Sequence, residues 1–404
     1  MIRPRFMLSS FCIICLIGIY SSNEVQAYEA ISANDYYKKQ INFYLPVQLG
    51  QGPIPIEKLK AEALHEISRG QPISYDKYLK KNNNQSAVVM KDGKLIYERY
   101  NDKWSGSPTF PINGQSLTKG ITGITVGAVL CSGRIKSLDD KMGQYSETLK
   151  NSPYANISIR RALQMRSGID KYDTKEGAEL WWMSIGDEEH GYKGKNHLKD
   201  HIKTVKSKNG DGKISEYMPN DSYALSIMVS ELTGSSLGAN FRDEIFNKIE
   251  PTANAYWMID ADGITIPNAG IFLTAWDWAK VGNFVQESIN SNTRYPGDCM
   301  GQYFTEGIKN ASRSSRLKGW KFGYHFWTKK IKSQPVIIFA GYGGQTVYIN
   351  PKTRTVVMAS SVNPKYGNSS VWEQVETVLI KAGKNSSSKT FNSNKQKKES
   401  DRNQ

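Results

Sequence analysis

The sequence predicts a mixed α/β (α+β) fold, an antiparallel sheet flanked by helices and joined to an all-α subdomain. Two observations predict it. Strand patterns stand at both ends of the chain: a hairpin at residues 86–100, and three runs at 336–340, 346–349 and 355–359. Between them, residues 134–260 read as mainly helical, an order that makes one sheet with a helical block inserted into it.

Taken in order, residues 1–27 have the form of a secretory signal peptide. Arg3 and Arg5 precede an apolar run over residues 6–20, short for a membrane span, and Val25-Gln26-Ala27 matches a small-residue cleavage site. The mature chain would start near Tyr28 and be periplasmic or secreted. Residues 28–84 read as a helical, Lys-rich lead-in. The hairpin turns at Asp92-Gly93, a dipeptide that accepts the positive φ angles of a tight turn. Residues 85–382 would form the functional domain. Its last element is an amphipathic helix at 370–382.

The 404-residue chain has a formal net charge of +15. Part of it is terminal: residues 381–404 hold seven Lys or Arg against two Asp or Glu. Rich in Ser, Asn and Lys, residues 383–404 are expected to be a disordered basic tail. Such a tail suits an anionic cell-envelope surface. No nucleic-acid motif accompanies the charge, and the export signal argues against that partner.

The chemistry is expected at the start of one helix, where Ser116-Leu117-Thr118-Lys119 opens the run to Cys131. Residues three apart share a helix face, so hydroxyl and amine can meet. Serine needs a neighbouring base, and a lysine whose pKa is lowered by burial can serve. The helix N-terminus also favours a developing oxyanion. Leu117, Ile121, Ile124, Ala128 and Cys131 form one apolar stripe, while Gly120, Gly123 and Gly127 form a smooth one, read as close packing against another backbone. Cys131 on this stripe reads as a buried free thiol. A disulfide to Cys299 is the alternative in an oxidising compartment.

Further segments complete the set. Gly133 to Asp140 contains Leu138-Asp139-Asp140, and residues 159–168 end a helix at Ser167-Gly168. Tyr217 stands shortly before a helix over 223–231 that stops at Thr233-Gly234. Gly323-Tyr324-His325-Phe326-Trp327 precedes Phe339-Ala340-Gly341-Tyr342-Gly343-Gly344-Gln345 and Pro351. With these segments the chain resembles the serine β-lactamase and penicillin-binding-protein superfamily. It looks closest to the esterase, class C β-lactamase and 6-aminohexanoate-oligomer hydrolase branch.

The resemblance implies Ser116 as nucleophile, Lys119 as base and Tyr217 as proton relay. It implies an oxyanion hole from the backbone N–H groups of Ser116 and Tyr342. A tyrosine beside a cationic lysine should have its phenolate favoured. Asn220, Gly341, Gly343, Gly344 and Gln345 are candidates for substrate binding. So are Trp181 and Trp182, from the polar stretch 173–212. The lysine of the family's K-T-G strand is missing, since that position falls at Phe339-Ala340-Gly341, and its absence argues against β-lactam and D-alanyl substrates. The expected reaction is cleavage of a small-molecule or peptide-like ester or amide without a cofactor. A non-catalytic envelope-binding protein and a D-alanyl carboxypeptidase or β-lactamase are the alternatives.

No metal is expected. The segment from Ser207 resembles a calcium loop but has Met218 where the bidentate Glu belongs. His197 and His201, with His190 nearby, stand at zinc-like spacing but read as a polar surface helix.

Overall fold

The computed structural model describes residues 44–47, 84–100, 108–169, 180, 183, 197–207, 212–294, 297–361 and 369–384. In chain order the elements begin with strands β1 (Tyr44–Val47), β2 (Asn84–Lys91), β3 (Lys94–Tyr100) and β4 (Ile112–Asn113). A 3₁₀ turn, Gln115–Leu117, leads into helix α1 (Thr118–Cys131). The helical block holds α2 (Glu147–Lys150), α3 (Ile159–Leu163), α4 (Leu198–Thr204), α5 (Asn220–Thr233) and α6 (Leu237–Glu244). Strands β5 (Ala255–Met258) and β6 (Ile271–Leu273) precede helices α7 (Ala275–Arg294) and α8 (Cys299–Lys309). Then come β7 (Ser312–Arg313), β8 (Lys321–Phe322), β9 (Trp327–Ile331), β10 (Gln334–Gly341), β11 (Gln345–Asn350), β12 (Thr355–Ser361) and α9 (Ser369–Lys384).

The main sheet has eight strands in the order β3-β2-β12-β11-β10-β9-β8-β7, antiparallel throughout. The early hairpin therefore pairs with the last strand, which closes the sheet around the helical block. Asp92 and Gly93 both take positive φ, 51° and 76°, as the hairpin turn requires. Strand residues alternate between two cores. Val88, Met90, Val356 and Met358 pack with Val281 and Val285 of α7. Ala87, Val89, Val357 and Ala359 pack with Val375, Val378 and Leu379 of α9. Both faces are thus covered by helices, as the sequence predicts.

Several expectations are corrected. A second sheet, β1-β5-β6-β4, was not foreseen. Its strands are two to four residues long, too short to show alternation. Residues 44–47 of the helical lead-in are a strand, paired with β5. The resemblance likens residues 323–327 to a strand, but β9 starts only at Trp327, because His325 adopts a positive φ of 64° and breaks the extended run before it. Cys131 is not a free thiol: it is disulfide-bonded to Cys299, with Cα atoms 5.7 Å apart. The bond joins the last residue of α1 to the first of α8.

Helix α1 is buried from Thr118 through Val129. Its glycines explain how. A Cβ on Gly123 would lie 2.4 Å from the Tyr324 carbonyl oxygen, while Gly120 and Gly127 admit the rings of Phe339 and Tyr303. Only Gly123 meets backbone as expected; the other two accommodate aromatic side chains. Tyr303 also donates to the Gly123 carbonyl at 2.7 Å.

Candidate active site

Ser116 sits in the 3₁₀ turn between β4 and α1. Residue Gln115 just before it takes φ 50°, uncommon outside glycine. The turn is held by the Gln115 N–H donating to Asn113 Oδ1 at 2.8 Å and by Thr118 Oγ1 donating to the Gln115 carbonyl at 2.6 Å. The small sheet fixes it from below, since the Gly114 N–H donates to the Ile271 carbonyl at 2.9 Å.

Lys119 Nζ lies 3.3 Å from Ser116 Oγ and donates to the Asn268 carbonyl at 2.7 Å. The residue is 4% exposed. Burial first, and the charge of Arg316 second, bring its pKa down from 10.5 to about 7. A substantial neutral fraction therefore exists near neutrality, with a lone pair able to face Ser116 while an N–H holds Asn268. Thr122, one turn on, donates to the Pro267 carbonyl at 2.8 Å. The polar face of α1 is thereby stitched to residues 267–271.

Tyr217 completes the group. Its hydroxyl is hydrogen-bonded to Ser116, and Lys119 Nζ is 4.8 Å from its ring centre. The ring stacks on Trp327 at 5.2 Å and meets Phe322 edge-on at 5.8 Å. The expectation of a favoured phenolate is corrected. Burial pushes the Tyr217 pKa up, outweighing the lowering by the Ser116 hydrogen bond and by Arg316. With Lys119 largely desolvated and near its own pKa, the cation that would stabilise a phenolate is only partly present. Tyr217 is a neutral hydroxyl, a donor.

His325 contributes a second neutral group. Its Nδ1 donates to the Leu163 carbonyl at 2.8 Å, which leaves Nε2 to accept from Ser222 Oγ at 3.0 Å. Burial, and to a lesser degree Lys119, lower its pKa to about 4.

On the opposite side, β10 ends against the nucleophile turn. A Cβ on Gly341 would lie 2.5 Å from the Gly114 carbonyl oxygen, so glycine alone permits this approach. Gly343 and Gly344, at φ 76° and 94°, turn the chain from Tyr342 into β11. The end of β10 that leads into Tyr342 is thus brought against the turn that carries Ser116. Gln345 turns elsewhere, its Nε2 donating to the Ser361 carbonyl at 2.6 Å. Asn220 is fully buried at the start of α5, with Oδ1 3.0 Å from His201 Nε2. Trp181, Trp182 and His190 lie outside the described residues, as does the middle of the calcium-like loop. His197 pairs with Asp262 at 3.0 Å, and among the described residues no three His, Cys, Asp or Glu side chains cluster as a metal site. Two groups at the site escaped the sequence reading, the Asn268 carbonyl and Arg316, whose guanidinium carbon is 5.2 Å from the Tyr217 ring centre.

Comparisons with known proteins bear on the fold and the family. The family model described as Beta-lactamase matches residues 80–371. The 6-aminohexanoate-dimer hydrolase of Paenarthrobacter ureafaciens is 20% identical over 290 residues, spanning 69% of this chain and 72% of the relative. A Bacillus anthracis structure, assigned as a 6-aminohexanoate-dimer hydrolase, superposes with a TM-score of 0.66 at 22% identity, covering 90% of this chain and 98% of the other. The D-alanine carboxypeptidase AmpC of Burkholderia cenocepacia gives 0.54 at 13% identity, covering 81% and 99%. With a family match that spans most of its length, this chain belongs to the β-lactamase family of serine hydrolases.

Proposed function

We propose that the protein is an exported hydrolase that cleaves an ester or amide through an acyl-enzyme on Ser116. The observation that carries this reading is the contact of Ser116 with both Lys119 and Tyr217, the amine tuned to about 7 and the phenol kept protonated. Neutral Lys119 accepts the Ser116 proton as Oγ bonds to the substrate carbonyl carbon. The negative charge that develops on the carbonyl oxygen is met by the Ser116 and Tyr342 N–H groups. As the carbon–leaving-group bond breaks, Tyr217 donates its proton to the departing amine or alcohol and regains one from Lys119. Water then repeats the sequence on the acyl-enzyme and restores Ser116.

The relative named as a 6-aminohexanoate-dimer hydrolase supports the amide side of this reading. A β-lactam or D-alanyl substrate is disfavoured by Phe339. It is buried with its ring against Gly120, where a K-T-G lysine would otherwise stand. The Cys131–Cys299 disulfide supports an oxidising, extracytoplasmic setting, in which the basic tail would meet the anionic envelope. The test is labelling by a fluorophosphonate, read by intact mass and peptide mapping. Wild type should gain one adduct at Ser116, and Ser116→Ala none. An unlabelled, folded wild type that is silent towards ester and amide panels favours the binding-protein alternative, and rapid acylation by penicillin favours the carboxypeptidase or β-lactamase one.

A further inference from the structure

We propose that the edge of the main sheet formed by β7, β8 and the β9–β10 hairpin is a docking surface for a flexible linear polyanion that carries phosphate groups. This surface is separate from the catalytic group and does not depend on the hydrolase reading. Residues 312–332 hold seven Lys or Arg and no Asp or Glu. Two of the seven are engaged within the fold. Lys329 pairs with Glu376 of α9 and lies 4.7 Å from the Trp320 ring centre, and Arg316 stands over Tyr217. The other five, Arg313, Lys318, Lys321, Lys330 and Lys332, are exposed, and none has a carboxylate partner among the described residues.

Strand register puts three of these five on one face. Arg313 stands directly opposite Lys321, and Lys321 directly opposite Thr328. Thr328 and Lys330 are two apart on β9 and so share that face. Arg313 and Lys321 are then about 5 Å apart at Cβ, and Lys321 and Lys330, as diagonal neighbours, about 7–8 Å. The other face of this edge sends Phe322, Trp327 and Ile331 into the core under α9, and its cation, Lys329, is neutralised. Like charges directly opposite each other destabilise a strand pair, so the Arg313–Lys321 pair opposes the sheet that holds it. Protecting an edge from other strands needs a single charge, not two that face each other. A polyanion lying across the row relieves the repulsion.

The occupant follows from the chemistry. Four of the five unpaired cations are lysines, point charges that meet phosphate oxygens from any direction, whereas selective carboxylate recognition uses planar guanidinium forks. Among the described residues one large apolar side chain is exposed, Ile214, less than a surface seated in a bilayer buries. Phe322 and Trp327 face α9, so the row offers no ring on which bases would stack, as single-stranded nucleic acid requires. A second copy of this chain, at a net charge of +15, is repelled.

The test uses the full chain and end-labelled inorganic polyphosphate, with binding read by anisotropy across a salt series. Replacing the row with Arg313→Ser, Lys321→Thr and Lys330→Thr together should weaken binding about tenfold or more and lower the salt slope by about two to three. The tail variant Lys395→Gln, Lys397→Gln and Lys398→Gln, which removes as many cations, should lose clearly less. Lys321→Glu gives the sharpest contrast. It faces Arg313 with a carboxylate, so it should melt higher than wild type and yet bind the polymer about tenfold more weakly or worse. Ser116 labelling should be unchanged in all three variants. Equal losses from the row and tail variants, or unchanged binding by Lys321→Glu, would overturn the proposal. So would tighter binding of poly-L-glutamate or single-stranded DNA than of polyphosphate, or a need for the row only on phosphatidylglycerol vesicles. Wild type that binds no polyphosphate leaves the row with edge protection alone. Wild type that binds it through the row but takes no label at Ser116 keeps the docking surface and removes the hydrolase.

Discussion

The Lys119 amine stands 3.3 Å from the Ser116 hydroxyl, buried where its pKa falls to about 7. Activity should therefore rise with pH through about 7, as the ammonium that cannot accept a proton gives way to the amine. Lys119→Ala should lower acylation by at least ~10². Lys119→Arg should fail as well, since guanidinium stays protonated. Acylation rates of these variants, measured from pH 5 to 9, check this; an unchanged Lys119→Ala rate refutes the role.

The same burial has a sign for stability. The unfolded chain keeps Lys119 protonated up to its ordinary value of 10.5, while the folded chain gives that proton up near 7. Between these values the unfolded state binds more protons, so this group's cost to stability shrinks as pH rises. Lys119→Met, which keeps the volume without the charge, should melt higher than wild type at pH 7, and the gap should narrow towards pH 10. Thermal melts of both proteins across that range measure it.

Tyr217→Phe keeps the ring stacked on Trp327 and removes only the donor. Turnover of amides should fall by ~10² or more, and of nitrophenyl esters by clearly less, because a good leaving group departs without a proton. Burial raises the Tyr217 pKa, so no loss of wild-type activity from this group is expected until pH exceeds the ordinary tyrosine value near 10. Equal losses on amides and activated esters would contradict a leaving-group role.

Gly341→Ala places a methyl 2.5 Å from the Gly114 carbonyl oxygen. Backbone cannot yield as a flexible side chain does, so β10 and the Ser116 turn should separate slightly. We expect a folded protein whose kcat falls about tenfold or more, because sub-ångström errors in donor placement weaken oxyanion stabilisation. Wild-type kcat in a correctly folded Gly341→Ala protein would show that this approach is not needed.

Breaking Cys131–Cys299, by reductant or by the double serine variant, should cost about 2–4 kcal/mol. Melting with and without reductant reads it. The serine variant should keep its Ser116 labelling at low temperature, since the bond lies at the far end of α1.

Much of this was legible in the sequence because it repeats along one element. The apolar stripe and the Ser116–Lys119 spacing define α1, and the β-runs near the C-terminus define the sheet. What escaped depends on distant segments meeting. Asn268 contributes only a backbone carbonyl, which has no side-chain signature. Arg316 is one cation among 53 Lys and Arg residues, and its place over Tyr217 depends on distant segments joined by the hydrogen bonds of Ser215 to Arg313 and Ser315. The direction of the Tyr217 shift was misjudged because spacing reveals a neighbouring lysine but not how far burial has discharged it. Cys131 followed the apolar stripe, yet whether a thiol meets another depends on a Cα separation that no local pattern encodes.

The Cys131–Cys299 bond, which spans a sequence separation of 168, makes everything between its two ends a covalent ring. Tyr217 and Asn268 lie inside that ring, and Ser116 and the β10 strand lie outside it. A single backbone cut within the ring therefore releases no fragment. A molecule nicked there by a protease would run as one piece without reductant and as two with it, with Ser116 and Tyr217 still tethered.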